Sequence, residues 1–222
     1  MKEYDEFVSL GSSCCPSLSM RELNIKSETY PFDWVRSNNK IIYDILINGK
    51  KRFLQFNAID ESFYINEMYE SLYKKKGHNN SINNYGQHFT HYTNLSIEQI
   101  QNKFNRYIER FFSLFESGKK VLFIQSHEDY IVHEKSRNRR EEFYEYLMKI
   151  NDIINQKYPK FDFDILNIEI QNSFEDYKNI KNVSINYDNI YANEWENYDS
   201  LVVGYRRSIT QACNQYIFQR TK

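Results

Sequence analysis

The run Val121-Leu122-Phe123-Ile124 constrains this chain most. Four consecutive apolar residues without alternation must be covered on both faces, the habit of a buried strand in a parallel sheet. The segment before it reads as a helix. Ser96-Ile97-Glu98-Gln99 has the form of a capping box, and Ile100, Phe104, Ile108, Phe111, Phe112 and Phe115 make one apolar stripe. Gly118 supplies the stop, so the pattern predicts a helix over about 97–117 feeding directly into the strand.

The same alternation recurs along the chain. Glu6–Leu10 reads as a first strand, with a helix over about Pro16–Leu23 and another over Lys40–Asn48, where Ile41, Ile42, Ile45 and Leu46 keep helical spacing. Tyr85–Tyr92 is expected as a short strand. Beyond residue 124 a charged helix is predicted over Arg139–Lys157, and strands over Phe163–Ile168 and Val183–Tyr187. Leu201–Tyr205 reads either as a further strand or as part of a terminal helix over Tyr198–Tyr216. Strands alternating with helices predict an α/β fold, a three-layer sandwich with a mostly parallel central sheet. With no repeat and no Pro/Gly/Ser linker, the expectation is one α/β domain over residues 1–222.

The 29 basic and 30 acidic residues leave a net charge of −1. That balance gives no general pull toward nucleic acid or an anionic membrane, and neither is expected as a partner. No apolar run approaches the roughly 18–20 residues that a membrane helix needs. The first residues, Met1-Lys2-Glu3-Tyr4-Asp5-Glu6, lack the apolar core of a signal peptide. Three cysteines, two of them adjacent, do not make a disulfide framework. A reduced, cytoplasmic protein is expected.

Chemistry concentrates after the first strand, in Gly11-Ser12-Ser13-Cys14-Cys15-Pro16. A tight turn of small residues carries a thiol to the start of a helix, where Pro16 suits the first turn. Free backbone N–H groups and the positive end of the helix dipole favour a thiolate there. Cys14 or Cys15 is the candidate nucleophile; the alternative is a small apolar core residue. Ser12, Ser13 and nearby N–H groups are the candidate oxyanion donors. Candidate bases are His88 and His91 in an aromatic stretch and His127 just after the 121–124 strand, at the end that lines the ligand crevice of open parallel sheets. His78 sits in a charged loop.

Asp33, within Pro31-Phe32-Asp33-Trp34, is an acid among apolar residues and must be paired. It serves either to orient a histidine, as a triad acid does, or to hold structure; burial with backbone-amide, His or Arg partners is expected. The adjacent cysteines lack zinc-knuckle spacing, and no Gly-rich phosphate loop or dinucleotide fingerprint is present. No metal or cofactor is expected.

Ser9-Leu10-Gly11-Ser12-Ser13-Cys14, then Tyr30-Pro31-Phe32-Asp33-Trp34, then Tyr85-Gly86 with Phe89-Thr90-His91, then Val121–Ile124 resemble, in that order, a bacterial family of unknown function described as putative papain-like cysteine peptidases. The likeness covers roughly the first 125 residues. It implies that the thiol is Cys14 and the imidazole His91. The turn also resembles that of esterase-like three-layer α/β domains, although no C-terminal Asp-x-x-His is present. Together these readings predict a thiol-dependent hydrolase or acyl transferase with catalytic Cys14, His91 and Asp33 and with Ser12, Ser13, Trp34 and His127 around the substrate. That substrate is expected to be a small molecule, a glycan or a peptide. The rival is a non-catalytic module binding a sugar-like or peptide ligand in the same place.

Overall fold

A four-stranded, all-parallel sheet forms the centre of the molecule. The computed structural model describes residues 3–35, 37–51, 53–54, 56–58, 81–83, 90–92, 95–127, 139–170, 174–186 and 198–218. The chain runs β1 (Glu6–Ser9), α1 (Cys15–Glu22), α2 (Asn39–Asn48), β2 (Phe56–Ala58), β3 (Ser81–Asn83), a 3-10 turn (Thr90–Tyr92), α3 (Ile97–Leu114), β4 (Val121–Ser126), α4 (Arg139–Lys157), β5 (Phe163–Ile170), β6 (Ile180–Ile185) and α5 (Tyr198–Phe218). The sheet order is β1-β4-β5-β6, and β2 and β3 pair as a separate antiparallel ladder.

The apolar run at 121–124 sits where its composition requires, paired with β1 on one side and β5 on the other, every residue buried. Alternate residues feed two cores. Val121 and Phe123 join Phe163 and Ile165 on the face covered by α2, α3 and α4. Leu122 and Ile124 join Leu166 and Ile168 on the face covered by α1 and α5. The result is the three-layer α/β sandwich expected from the alternation. Helix α3 presents Ile100, Phe104, Ile108 and Phe111 to the core, each at most 1% exposed. Full burial of side chains this size contributes roughly 1.5–3 kcal/mol apiece. Ser96 and Gln99 close both bonds of the capping box at its start.

Two elements depart from the sequence reading, and the choice left open at 198–216 falls to the terminal helix. Residues 198–218 are wholly helical, because Tyr205, Ile209, Ala212, Cys213 and Tyr216 recur at helical spacing and all bury against β4 and β5. Strand β6 begins at Ile180 rather than Val183: it pairs in parallel with β5 from Ile165 onward, and a Tyr177–Ile180 bridge turns the chain into it. Residues 90–92 form a 3-10 turn in place of the end of a strand. Tyr92 enters the core with its ring 5.0 Å from that of Phe104, and its carbonyl accepts the Leu95 N–H at 3.0 Å. The rest of the expected 85–92 strand lies outside the described residues, as do His78 and His88.

Among the described residues, no helix is long and apolar enough to cross a membrane.

Candidate active site at the carboxyl edge of the sheet

All four strands of a parallel sheet end on one edge, and in open α/β sheets that edge carries the ligand crevice. Beyond β1 the chain makes the turn Leu10–Cys14. Gly11 has φ +82°, and its N–H donates to Ser9 Oγ at 3.0 Å. A Cβ at Gly11 would lie 2.2 Å from Ser37 Oγ and 3.3 Å from the Phe32 carbonyl oxygen. Glycine is required on both counts. Gly11→Ala is expected to destabilise the fold by about 2–4 kcal/mol, combining left-handed strain with overpacking; urea unfolding measures it, and a loss below about 0.5 kcal/mol, within the range of neutral surface changes, would refute the account of the turn.

Ser12 also sits in the left-handed region, at φ +42°. Its hydroxyl donates to the Ser126 carbonyl at 2.6 Å, tying the turn to the end of β4. Ser13 Oγ accepts the Cys15 N–H at 3.2 Å. Both hydroxyls therefore shape the turn, and the oxyanion donors left there are backbone N–H groups.

Cys14 is the N-cap of α1 and makes no side-chain capping bond, with Pro16 in the helix's first turn. It is half-buried, whereas Cys15 and Cys213 are buried. The two classes of thiol part sharply in acidity. Burial alone pushes Cys213 up to about 12. Cys14 is brought down to about 5 by a hydrogen bond from Cys15, against its own burial, with further help from the hydrogen bond and charge of His91 and from its own backbone N–H. The turn alone left open which of the adjacent cysteines faces the site, and the family resemblance implied Cys14; the structure puts Cys14 beside an imidazole and Cys15 in the core, where its thiol supports Cys14.

His91 is exposed and held from the side. Its ring packs edge-to-face on Trp34 with centroids 5.3 Å apart, and the Arg21 guanidinium lies 4.6 Å from the Trp34 ring centroid. Cations over indole faces are attracted by the ring quadrupole. Arg21 thus fixes Trp34, and Trp34 supports His91. Sequence reasoning missed Arg21, although it lies seven residues after Cys14, two turns along the same helical face.

Asp33 is fully buried, as its apolar neighbours imply, but it does not orient His91. Lys26 Nζ lies 2.9 Å and 2.8 Å from its two oxygens, and the Tyr30 N–H donates to Oδ2 at 2.7 Å. A buried carboxylate takes the nearest cation that can be buried with it, and the Lys26 side chain is 3% exposed. The acid expected to complete a triad is spent on structure, and among the described residues no carboxylate bonds His91.

His127 follows β4 and is buried, its ring centroid 4.1 Å from that of Phe143, while its carbonyl accepts from Tyr205 Oη at 3.0 Å. Near it, β4 and β5 end in buried polar residues that the sequence reading overlooked: Gln125, Asn167 and Glu169. Asn167 Nδ2 donates to Glu169 Oε1 at 3.1 Å, and Arg140 Nε lies 3.5 Å from Glu169 Oε2. Burial pushes the Glu169 carboxyl up, against Asn167 and the charges of His127 and Arg140. Among the described residues no three His, Cys, Asp or Glu side chains converge to hold a metal ion.

The model of the family described as putative papain-like cysteine peptidases matches residues 5–173. An uncharacterized protein of Acanthamoeba polyphaga mimivirus, R408, is 28% identical over 159 residues, which are 65% of this chain and 70% of that protein. No solved structure matches.

Proposed function

The chain belongs to the putative papain-like cysteine peptidase family, and from that premise we propose that it is a thiol-dependent hydrolase or acyl transferase with Cys14 as nucleophile and His91 as general acid and base. The observation that carries this reading is the placement of a half-buried thiol at the start of α1, where Cys15 and His91 together bring it down to about 5. A thiolate is the nucleophilic form of sulfur, and helix N-termini and imidazole partners are the environments that produce it.

In this mechanism the Cys14 thiolate attacks an acyl carbon and forms a C–S bond. The Cys14 N–H and its neighbours in the turn stabilise the oxyanion. His91 gives a proton to the leaving nitrogen or oxygen as its bond to carbon breaks, leaving a thioester. Water, or an acceptor nucleophile, then loses a proton to His91 as it attacks, and the thiolate departs. Trp34 and Arg21 are positioning residues that hold the imidazole ring. Cys14, Cys15 and Cys213 form no disulfide among the described residues, which suits action in a reducing cytoplasm.

The reading is tested on a panel of peptides, esters and amides. His91→Gln is expected to lower kcat by about 10²–10⁴-fold on whichever member the wild type turns over, the usual worth of a positioned acid–base group. Unchanged turnover in His91→Gln would remove the imidazole from the mechanism. A wild type that binds a panel member tightly but never turns one over would favour the binding-module reading.

A further inference from the structure

Two successive residues in the turn before Cys14 stand in the left-handed region, Gly11 at φ +82° and Ser12 at φ +42°. Glycine enters that region freely, but a serine there is strained, and such strain persists only where the surroundings hold it. Asn24 and Lys178 also have positive φ, but Asn24 follows the end of α1 and Lys178 lies in the tight turn into β6, both routine places for it. What holds Ser12 is a long-range bond. Its hydroxyl donates to the Ser126 carbonyl at 2.6 Å, at the end of β4. Strand β4 is buried throughout and has a parallel neighbour on each side, so the turn hangs from a rigid part of the sheet.

The N–H groups around Ser12 fall into two sets. The Gly11 N–H is committed to Ser9 Oγ at 3.0 Å and the Cys15 N–H to Ser13 Oγ at 3.2 Å. Pro16 has none. The N–H groups of Ser13 and Cys14 meet no acceptor elsewhere among the described residues. The Cys14 N–H reaches its own sulfur, where it favours the thiolate. These two donors are the nearest along the chain to the attacking atom. The plane of the Ser12–Ser13 peptide, and with it the direction of the Ser13 N–H, is set by the backbone angles of Ser12.

We propose that Ser12 is a positioning residue for acyl transfer: its strained backbone, held by the bond to the Ser126 carbonyl, aims the Ser13 and Cys14 N–H groups at the oxyanion that forms beside the Cys14 sulfur. Donors stabilise an oxyanion at about 2.7–3.1 Å from the charge, and a misplacement of about 1 Å can cost about 10²-fold in rate. A relaxed turn would keep the thiolate and lose that aim. The inference rests on the reading of Cys14 as nucleophile and asks nothing of the substrate beyond an acyl carbon.

Two reagents separate aim from ionisation. Cys14 attacks p-nitrophenyl acetate at its acyl carbon: a C–S bond forms, negative charge moves onto the carbonyl oxygen, and nitrophenolate leaves as the C–O bond breaks. It attacks iodoacetamide at the methylene carbon with loss of iodide, and no oxyanion forms. Both are applied to the wild type, Ser12→Gly and Ser12→Ala, with the Cys14→Ser rate subtracted as background. Glycine removes the hydroxyl and relieves the strain; alanine removes the hydroxyl and keeps the strain. Acetylation of Cys14 is expected to fall about tenfold or more in Ser12→Gly, while alkylation, which follows the thiolate alone, stays within about twofold. The urea midpoint of Ser12→Gly should lie above that of Ser12→Ala. A merely structural loosening would slow both reactions alike. An equal fall of both rates, unchanged acetylation, a Ser12→Gly midpoint below that of Ser12→Ala, or a Ser12→Gly chain that fails to fold would each overturn the proposal. If instead wild-type Cys14 is alkylated no faster than an ordinary thiol, it is the nucleophile reading that fails, and Ser12 has no oxyanion to serve.

Discussion

Asp33→Ala is expected to cost the fold about 3–5 kcal/mol, the range seen when one partner of a buried ion pair is removed. The substitution strands the Lys26 ammonium, which is 3% exposed and was held at both Asp33 oxygens, and it leaves the Tyr30 N–H without its acceptor. Desolvation already works against the pair, pushing the Asp33 carboxyl up and the Lys26 ammonium down. The loss should therefore be mainly a penalty for the orphaned partner. Lys26→Met combined with Asp33→Ala should accordingly recover part of it, because an apolar pair of similar volume avoids the buried charge. Equilibrium urea unfolding of the two variants measures both effects. A loss below about 1 kcal/mol for Asp33→Ala would place the interaction in the class of surface ion pairs and contradict its burial.

The second large effect concerns activity. Cys14→Ser is expected to lower turnover on the order of 10⁴-fold or more, since loss of a covalent nucleophile leaves only binding and oxyanion contacts. A hydroxyl has almost the size of the thiol but is not ionised by the same surroundings at neutral pH. Cys14 makes no side-chain capping bond and is only half-buried, so the fold should keep its stability to within about 0.5 kcal/mol. Buried Cys15 is not placed to substitute for it. Retained turnover in Cys14→Ser with a native unfolding curve would move the chemistry elsewhere on the molecule.

What could be read from the sequence was local or periodic. The unbroken apolar run at 121–124 required a two-sided strand, and the sheet supplies one with β1 and β5 as neighbours. The Gly11–Pro16 segment carried its own turn and helix start, so the place of Cys14 followed from a few consecutive residues. What escaped depends on distant partners. Asp33 was legible as buried, but its partner was not, because an acid among aromatics looks alike whether Lys26 or a histidine meets it. The support of His91 comes from Trp34 and Arg21, respectively 57 and 70 positions earlier, and no spacing rule joins them. The polar ends of β4 and β5 were hidden for a further reason. Gln125, Asn167 and Glu169 follow apolar residues within their strands, and only the assembled sheet shows that they gather at its carboxyl edge.

The family description emphasises cysteine chemistry, and the structure places a candidate cysteine on a parallel, three-layer scaffold. In this fold Cys14, the proposed nucleophile, opens an eight-residue helix at the carboxyl edge of the sheet. Acidity at that position comes from Cys15, His91 and the Cys14 N–H, acting against burial.

The activation of Cys14 is the central claim, and the pH dependence of its alkylation by iodoacetamide tests it most directly. Cys15 and Cys213 are buried, so the reaction of the folded protein reports Cys14. The account predicts a rate that is half-maximal near pH 5 and flat above about pH 7, with the midpoint moved upward in His91→Gln. A wild-type rate that climbs through about pH 8–9, as an ordinary thiol's does, and that is indifferent to His91→Gln would contradict it.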